Sequence, residues 1–273
     1  MSSASGLAVA VAHLELQFGG MAVLRDVSFA VARGERYGIV GPNGAGKTSL
    51  LNCISRTYRQ TGGSVSALGE CVDRWRPHEV ARLGVARTFQ NMAAFRDVSV
   101  LDFVMLGRHT RIRSSTFVCA LGIPFLTGDE ARQRRAAHGA LDLVGLRNVA
   151  KTKIGELPYG LAKLADLARA LAMEPRLLLL DEPAAGLSSD ERGHVGRMLL
   201  RIRDEYEATQ VVIEHDMALV NLLCQRILVL NAGQKIAEGP PQEVLGEPRV
   251  VAAFLGGRAA ASEAMPERGR GGS

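Results

Sequence analysis

The stretch that decides the fold is Gly41-Pro42-Asn43-Gly44-Ala45-Gly46-Lys47-Thr48. It follows the apolar run RYGIV and precedes Ser49, Leu50, Cys53 and Ile54, which recur at helical spacing. The pattern G-x-x-x-x-G-K-[ST] between a strand and a helix is the context of a phosphate cradle rather than of a glycine turn that merely caps a helix. Glycines let the backbone curl so that successive N–H groups point inward at phosphate oxygens, and the helix N-terminus adds positive dipole. On this reading Lys47 holds the β- and γ-phosphates of a nucleotide and Thr48 binds Mg²⁺. Gly41, Pro42, Asn43, Gly44, Ala45, Gly46 and Ser49 complete the expected contacts to the nucleotide.

A magnesium-nucleotide site also needs a carboxylate at a neighbouring strand end. The run Leu177-Leu178-Leu179-Leu180-Asp181-Glu182 supplies two. Asp181 is placed to hold the ion, and Glu182, one residue on, to polarise an attacking water as general base. A second apolar run, 211–213, delivers Glu214-His215-Asp216 to the same crevice edge, where α/β sheets bind ligands. Of the six histidines only His215 has this placement.

Composition narrows the alternatives. Apolar residues make up 47% and charged residues 22% of 273, so the bulk of the chain buries a core. Aromatics are 5% with one tryptophan, Trp75, which argues against a surface built to stack nucleic-acid bases. The net charge of +5 suits an anionic ligand, nucleic acid or an anionic membrane surface without choosing among them. Cys53, Cys71, Cys119 and Cys224 lack CxxC spacing, so neither a zinc site nor a disulfide framework is expected. No run reaches the roughly 20 apolar residues of a membrane helix. The longest candidate, 117–126, is interrupted by Pro124.

Outward from the phosphate loop, HLELQF, VSFAV and RYGIV read as strands punctuated by Gly19, Gly20 and Gly34. Residues 85–88 read as a further short strand, and 98–173 as mostly helical. The apolar runs at 177–180 and 211–213 read as strands buried on both faces of a parallel sheet. RILVLN and QKIAEG read as a hairpin, 241–255 as short helices, and 256–273, with five glycines, as a disordered tail.

The ordered motifs GPNGAGKT, RTFQN, LPYGLAKLADLARAL, LLLLDEPAAGLS and VVIEHDM resemble the nucleotide-binding ATPase of ABC transporters, over about residues 14–255. The paired glycines after Phe18, RTFQN, the tyrosine at 159, DEPAAGL and the EHDM ending are similar to the subfamily that energises uptake of branched-chain amino acids, with relatives serving urea or short-chain amides. The resemblance implies a P-loop NTPase with a RecA-like α/β core, an antiparallel β subdomain and a helical subdomain at about 92–172, within an ATPase domain spanning 8–255. It implies that Phe18 stacks on adenine, that Gln90 touches Mg²⁺ and couples the site to membrane subunits, that Glu182 is the catalytic base, and that His215 contacts the γ-phosphate. Tyr159 and Gly160 fall in the signature that meets the nucleotide of a partner ATPase.

This signature departs from the family's Leu-Ser-Gly-Gly-Gln: it reads Leu157-Pro158-Tyr159-Gly160-Leu161. Proline lacks both hydroxyl and N–H, so two donors are lost at that position. Ser188 likewise stands where the interface loop carries Asp. Pairing with a second, different ABC ATPase would give the site over Lys47 and Glu182 a full signature, so a heterodimer is favoured, with a homodimer that tolerates the proline as the alternative. Other implied partners are integral membrane permease subunits and, indirectly, an extracytoplasmic substrate-binding protein, which sets the chain peripherally at the cytoplasmic face of the cell membrane. The competing reading, a non-transport ABC ATPase acting on nucleic acid or ribosomes, lacks the long coiled-coil insertions, zinc modules or tandem domains of such proteins, so no nucleic-acid partner is expected. A third reading, a non-hydrolysing partner motivated by Pro158, conflicts with the presence of Lys47, Asp181, Glu182 and His215.

Overall fold

A computed structural model of the chain describes residues 6–89, 92–109 and 127–263. Strands β1 (Leu7–Phe18), β2 (Met21–Ala32) and β3 (Arg36–Val40) lead into helix α1 (Lys47–Ile54). Strands β4 (Gly62–Ala67) and β5 (Glu70–Cys71), helix α2 (Pro77–Leu83) and strand β6 (Val85–Arg87) follow. Next come the helices α3 (Val100–Arg108), α4 (Thr127–Leu143) and α5 (Tyr159–Ala172). Strand β7 (Leu177–Asp181), helix α6 (Ser189–Tyr206), strand β8 (Thr209–Ile213) and helix α7 (Met217–Leu223) return to the core. The hairpin β9 (Arg226–Asn231) and β10 (Gln234–Gly239) precedes α8 (Pro241–Val244) and α9 (Pro248–Glu263).

The main sheet has the order β10-β9-β3-β8-β7-β6, with β10 antiparallel at one edge and the rest parallel. Its central strands carry apolar runs, 177–180 in β7 and 211–213 in β8, because both faces are buried. Leu178 and Leu180 of β7 pack into one core with Val212 of β8 and Ile227 and Val229 of β9. Their neighbours Leu177, Leu179, Val211, Ile213, Leu228 and Leu230 pack into a second core on the opposite face. Because the strands are parallel, β3, β7 and β8 all end at one edge, which brings the phosphate loop and both acidic strand ends together.

The second core is closed by an antiparallel sheet of order β2-β1-β4-β5 and by α1. Gly19 and Gly20, at φ +52° and +85°, make the β1–β2 turn, and Ala232 and Gly233, at +46° and +80°, make the β9–β10 turn. Two successive residues of positive φ are what a two-residue hairpin needs to match strand twist. The first core runs into the helical layer, where Phe103 of α3, Leu141 of α4 and Leu171 of α5 are fully buried. The α/β core, antiparallel sheet and helical layer agree with the fold class that the motifs imply.

Two details depart from the sequence reading. The C-terminal helix does not stop at 255: α9 runs to Glu263, so 256–263 is helix and not tail, while 264–273 lies outside the described residues. The run at 117–126 also lies outside them. Among the described residues no helix is long and apolar enough to cross a membrane, and Cys53, Cys71 and Cys224 are free thiols.

Candidate active site

The phosphate loop connects β3 to α1, and two of its three glycines, Gly41 and Gly46, stand where a side chain cannot fit. A Cβ on Gly41, at φ +148°, would lie 2.1 Å from the carbonyl oxygen of Leu230 in β9. Gly46, at φ +97°, is the left-handed residue that caps α1, and a Cβ there would lie 2.9 Å from Leu24 Cδ2. Gly44, at φ +77°, has open space around it. The loop is fixed from outside by the Gly233 amide, which donates to the Ala45 carbonyl at 3.1 Å. Lys47 is buried, and its Nζ donates back to the carbonyls of Gly41 at 2.8 Å and Pro42 at 2.9 Å. Burial holds its ammonium below the ordinary lysine range, with the charges of Glu182 and Asp181 opposing that shift.

Asn43, Gly44, Ala45, Gly46, Lys47, Thr48, Ser49 and Glu182 line one cleft of about 470 Å³ beside Val23. Pro42 faces an adjoining cleft with Asn231 and Ala252. Asp181 sits behind Thr48, whose Oγ1 donates to Asp181 Oδ1 at 3.4 Å. Its other oxygen accepts from Arg87 Nη2 at 3.1 Å. Burial pushes the Asp181 carboxyl above the usual carboxylate range, and the Arg87 guanidinium counters it. Among the described residues no cluster of three or more His, Cys, Asp or Glu could hold a metal by itself. A hydroxyl and one carboxylate oxygen nevertheless fit magnesium, which keeps several waters and takes its remaining ligands from phosphates.

Glu182 adopts φ +50°, a left-handed conformation that costs a non-glycine residue about 1–2 kcal/mol. It is held there from both ends of its peptide unit. Its amide donates to the Ile213 carbonyl at 3.0 Å, and its carbonyl accepts from Lys163 Nζ of α5 at 2.8 Å and from the Ala185 amide at 3.2 Å. The turn leaves the Glu182 side chain on the cleft wall. Glu214, at the end of β8, is buried and accepts from the Ala184 amide at 3.1 Å, tying the two acidic strand ends together. Burial raises its carboxyl above the usual range, against the amides of Ala184 and His215.

The remaining sequence candidates are dispersed. His215 is exposed beyond β8, with its amide donating to Glu214 Oε2 at 3.2 Å. Phe18 is 48% exposed at the end of β1 and meets Tyr58 edge to face, ring centroids 5.1 Å apart. Gln90 lies outside the described residues. Tyr159 and Gly160 open α5 after Pro158, its N-cap, and do not line this chain's phosphate cleft. They pack on the loop after Glu182: a Cβ on Gly160 would meet Leu187, and one on Gly186 would meet the Tyr159 ring. Ser188 caps α6 through a reciprocal pair with Glu191, a role that its sequence context, Ser188-x-x-Glu191, does signal. Sequence reasoning missed Arg87 and Lys163, whose partners lie on other elements and leave no periodic trace.

A family model described as ABC transporter matches residues 24–185, more than half of the chain. Residues 234–260 match one described as branched-chain amino acid ATP-binding cassette transporter. The chain is 33% identical over 248 residues to the high-affinity branched-chain amino acid transport ATP-binding protein LivG of Salmonella typhimurium, covering 91% of this chain and 97% of that one. It is also 33% identical over 246 residues to BraF of Pseudomonas aeruginosa, which has the same description, covering 90% and 96%. The crystal structure of the ADP conformation of MJ1267, an ATP-binding cassette of an ABC transporter, matches with a TM-score of 0.79 at 27% identity, covering 92% of this chain and 99% of that one. The first family match takes in the phosphate loop, the helix that Tyr159 opens and the Asp181–Glu182 strand end together, and the chain therefore belongs to the ABC transporter family, as an ATP-binding subunit and ATPase.

Proposed function

We propose that this chain energises the uptake of branched-chain amino acids, working peripherally at the cytoplasmic face of a membrane on integral permease subunits. The observation that carries the substrate class is the match of residues 234–260 to the branched-chain family model, joined to full-length likeness to LivG and BraF. Urea and short-chain amides are the neighbouring substrate classes that a transport assay separates from it.

The chemistry follows from the cleft. Triphosphate oxygens replace the Gly41 and Pro42 carbonyls as acceptors for Lys47, and the amides around Gly44 and Gly46 take up the remaining charge. Thr48 and Asp181 would hold magnesium, which would supply positive charge against that developing on the phosphates. Glu182 takes a proton from water as the water oxygen attacks the γ-phosphorus and the bond to the ADP oxygen breaks. His215 contacts the γ-phosphate, Phe18 stacks on adenine, and Gln90 links the metal site to the permease. Tyr159 and Gly160 serve the nucleotide of a partner ATPase, and their absence from the lining of this chain's own cleft supports that role.

A groove of about 450 Å³ between α1, α2 and β6 on one side and α3 and α5 on the other supports permease docking. The exposed Phe89 and Leu106 line its wall, and an apolar loop or helix of a membrane protein fits that surface. A second ABC ATPase completes the pair, and an external binding protein delivers the cargo. The test is uptake by vesicles that hold the chain, its permease and the binding protein. Labelled leucine is expected to enter only with ATP, and not when Lys47→Ala replaces the wild type. Entry of urea or a short-chain amide while leucine stays outside would overturn the substrate assignment.

A further inference from the structure

Arg87, the last residue of β6, grips three side chains with one guanidinium. Its Nη2 donates to Asp181 Oδ2 at 3.1 Å, while its Nη1 donates to Ser55 Oγ at 3.1 Å and to Asn52 Oδ1. The Arg87 side chain is 16% exposed and that of Asp181 fully buried. The backbone on either side is pinned as well. The Arg87 carbonyl accepts from Arg169 Nη2 at 2.6 Å, and Thr88 Oγ1 accepts from the Asp181 amide at 3.1 Å.

This arrangement settles which carboxylate oxygen does what. Oδ2 of Asp181 is occupied by a rigid fork whose other prongs are anchored on α1, so Oδ1 is the oxygen left facing Thr48. A buried pair of this kind contributes little net stability, since desolvation offsets the attraction. Its effect is to fix geometry: the planar guanidinium sets the torsion of the carboxylate, as a lysine point charge cannot.

We propose that Arg87 is the positioning residue of the metal carboxylate, holding Asp181 by Oδ2 so that Oδ1 and the Thr48 hydroxyl present one aligned pair of oxygens to magnesium. The proposal rests on reading Asp181 as the magnesium carboxylate. The outer partners of metal ligands ordinarily govern affinity for the ion by about ten- to a hundredfold. Nucleotide binding then depends on Arg87 only through the metal.

The experiment measures ATP affinity of the full chain by calorimetry, once with magnesium and once with EDTA, and takes the ratio as the magnesium increment. Arg87→Met is expected to shrink the increment about tenfold while leaving the EDTA affinity in place. Arg87→Lys, which keeps the charge but loses the fork, is expected to recover only part of it. Should the methionine variant fail to fold, Arg87→Lys alone decides, against the wild-type ratio. An unchanged ratio in a folded variant overturns the proposal, as does a parallel loss with and without magnesium, which marks a merely structural role. A wild-type chain with no increment at all overturns instead the assignment of Asp181, so the two failures are distinguishable.

Discussion

At the scale of single residues, the phosphate loop shows how backbone geometry and close packing select glycine for different reasons. Gly41 is boxed in by the Leu230 carbonyl, whereas Gly44 requires only its positive φ. Gly41→Ala is therefore expected to abolish nucleotide binding and lower the melting temperature by several degrees. Gly44→Ala is expected to cost only about 1–2 kcal/mol of strain and to keep measurable binding. Calorimetry and thermal melts on both variants check this. Pro158 opens α5 without a hydroxyl or an N–H of its own. Pro158→Ser restores both, and ATP-driven self-association of the chain, followed by sedimentation, should tighten about tenfold or more. Lys47, Thr48, Asp181 and Glu182 were legible because their spacing is local and their chemistry explicit. Arg87 and Asp181 stand 94 residues apart in sequence and meet only across paired strands, so that partnership was not legible.

At the scale of elements, hydrophobic period was the reliable signal. The apolar runs that became β7 and β8 are continuous because each strand faces two cores, and the β9–β10 hairpin was announced by RILVLN and QKIAEG around Gly233. Strands β4 and β5 escaped because one reads GGSVSA and the other is two residues long, too little apolar pattern to register. The end of α9 escaped because glycines at 256 and 257 read as a stop, although the Ala259-Ala260-Ala261 run beyond them propagates helix well. Helix α5 carries a testable buried pair: Asp166 and Arg169 lie 2.8 Å apart, and Asp166 Oδ2 also accepts the Phe89 amide. Burial raises the Asp166 carboxyl above its unfolded value despite Arg169. A raised acid favours the fold below the ordinary carboxylate pKa and loses that contribution as pH rises through the folded value. Arg169→Ala removes the compensating charge and pushes the carboxyl higher still. Its destabilisation should be small in acid and grow to about 3–5 kcal/mol toward neutral pH. Urea denaturation across pH reads this directly, and a pH-independent loss would refute it.

At the scale of the whole molecule, one sheet edge gathers the phosphate loop, Asp181 and Glu182, while Tyr159 and Gly160 open α5 away from that cleft. On the function proposed above, this chain would supply the hydrolytic groups of one site and offer its signature to a neighbour. The Lys163 bond to the Glu182 carbonyl joins the two regions, since it links α5 to the backbone of the proposed base. On that proposal, the chain would be one half of an asymmetric pair, its own hydrolytic site completed by the partner's signature. The measurement that tests this most directly is phosphate release by the reconstituted transporter in which only this chain carries Glu182→Gln. Release should fall by about a hundredfold or more, with ATP retained on the protein unhydrolysed. Turnover equal to the wild type would contradict the account, because the water would then be activated elsewhere.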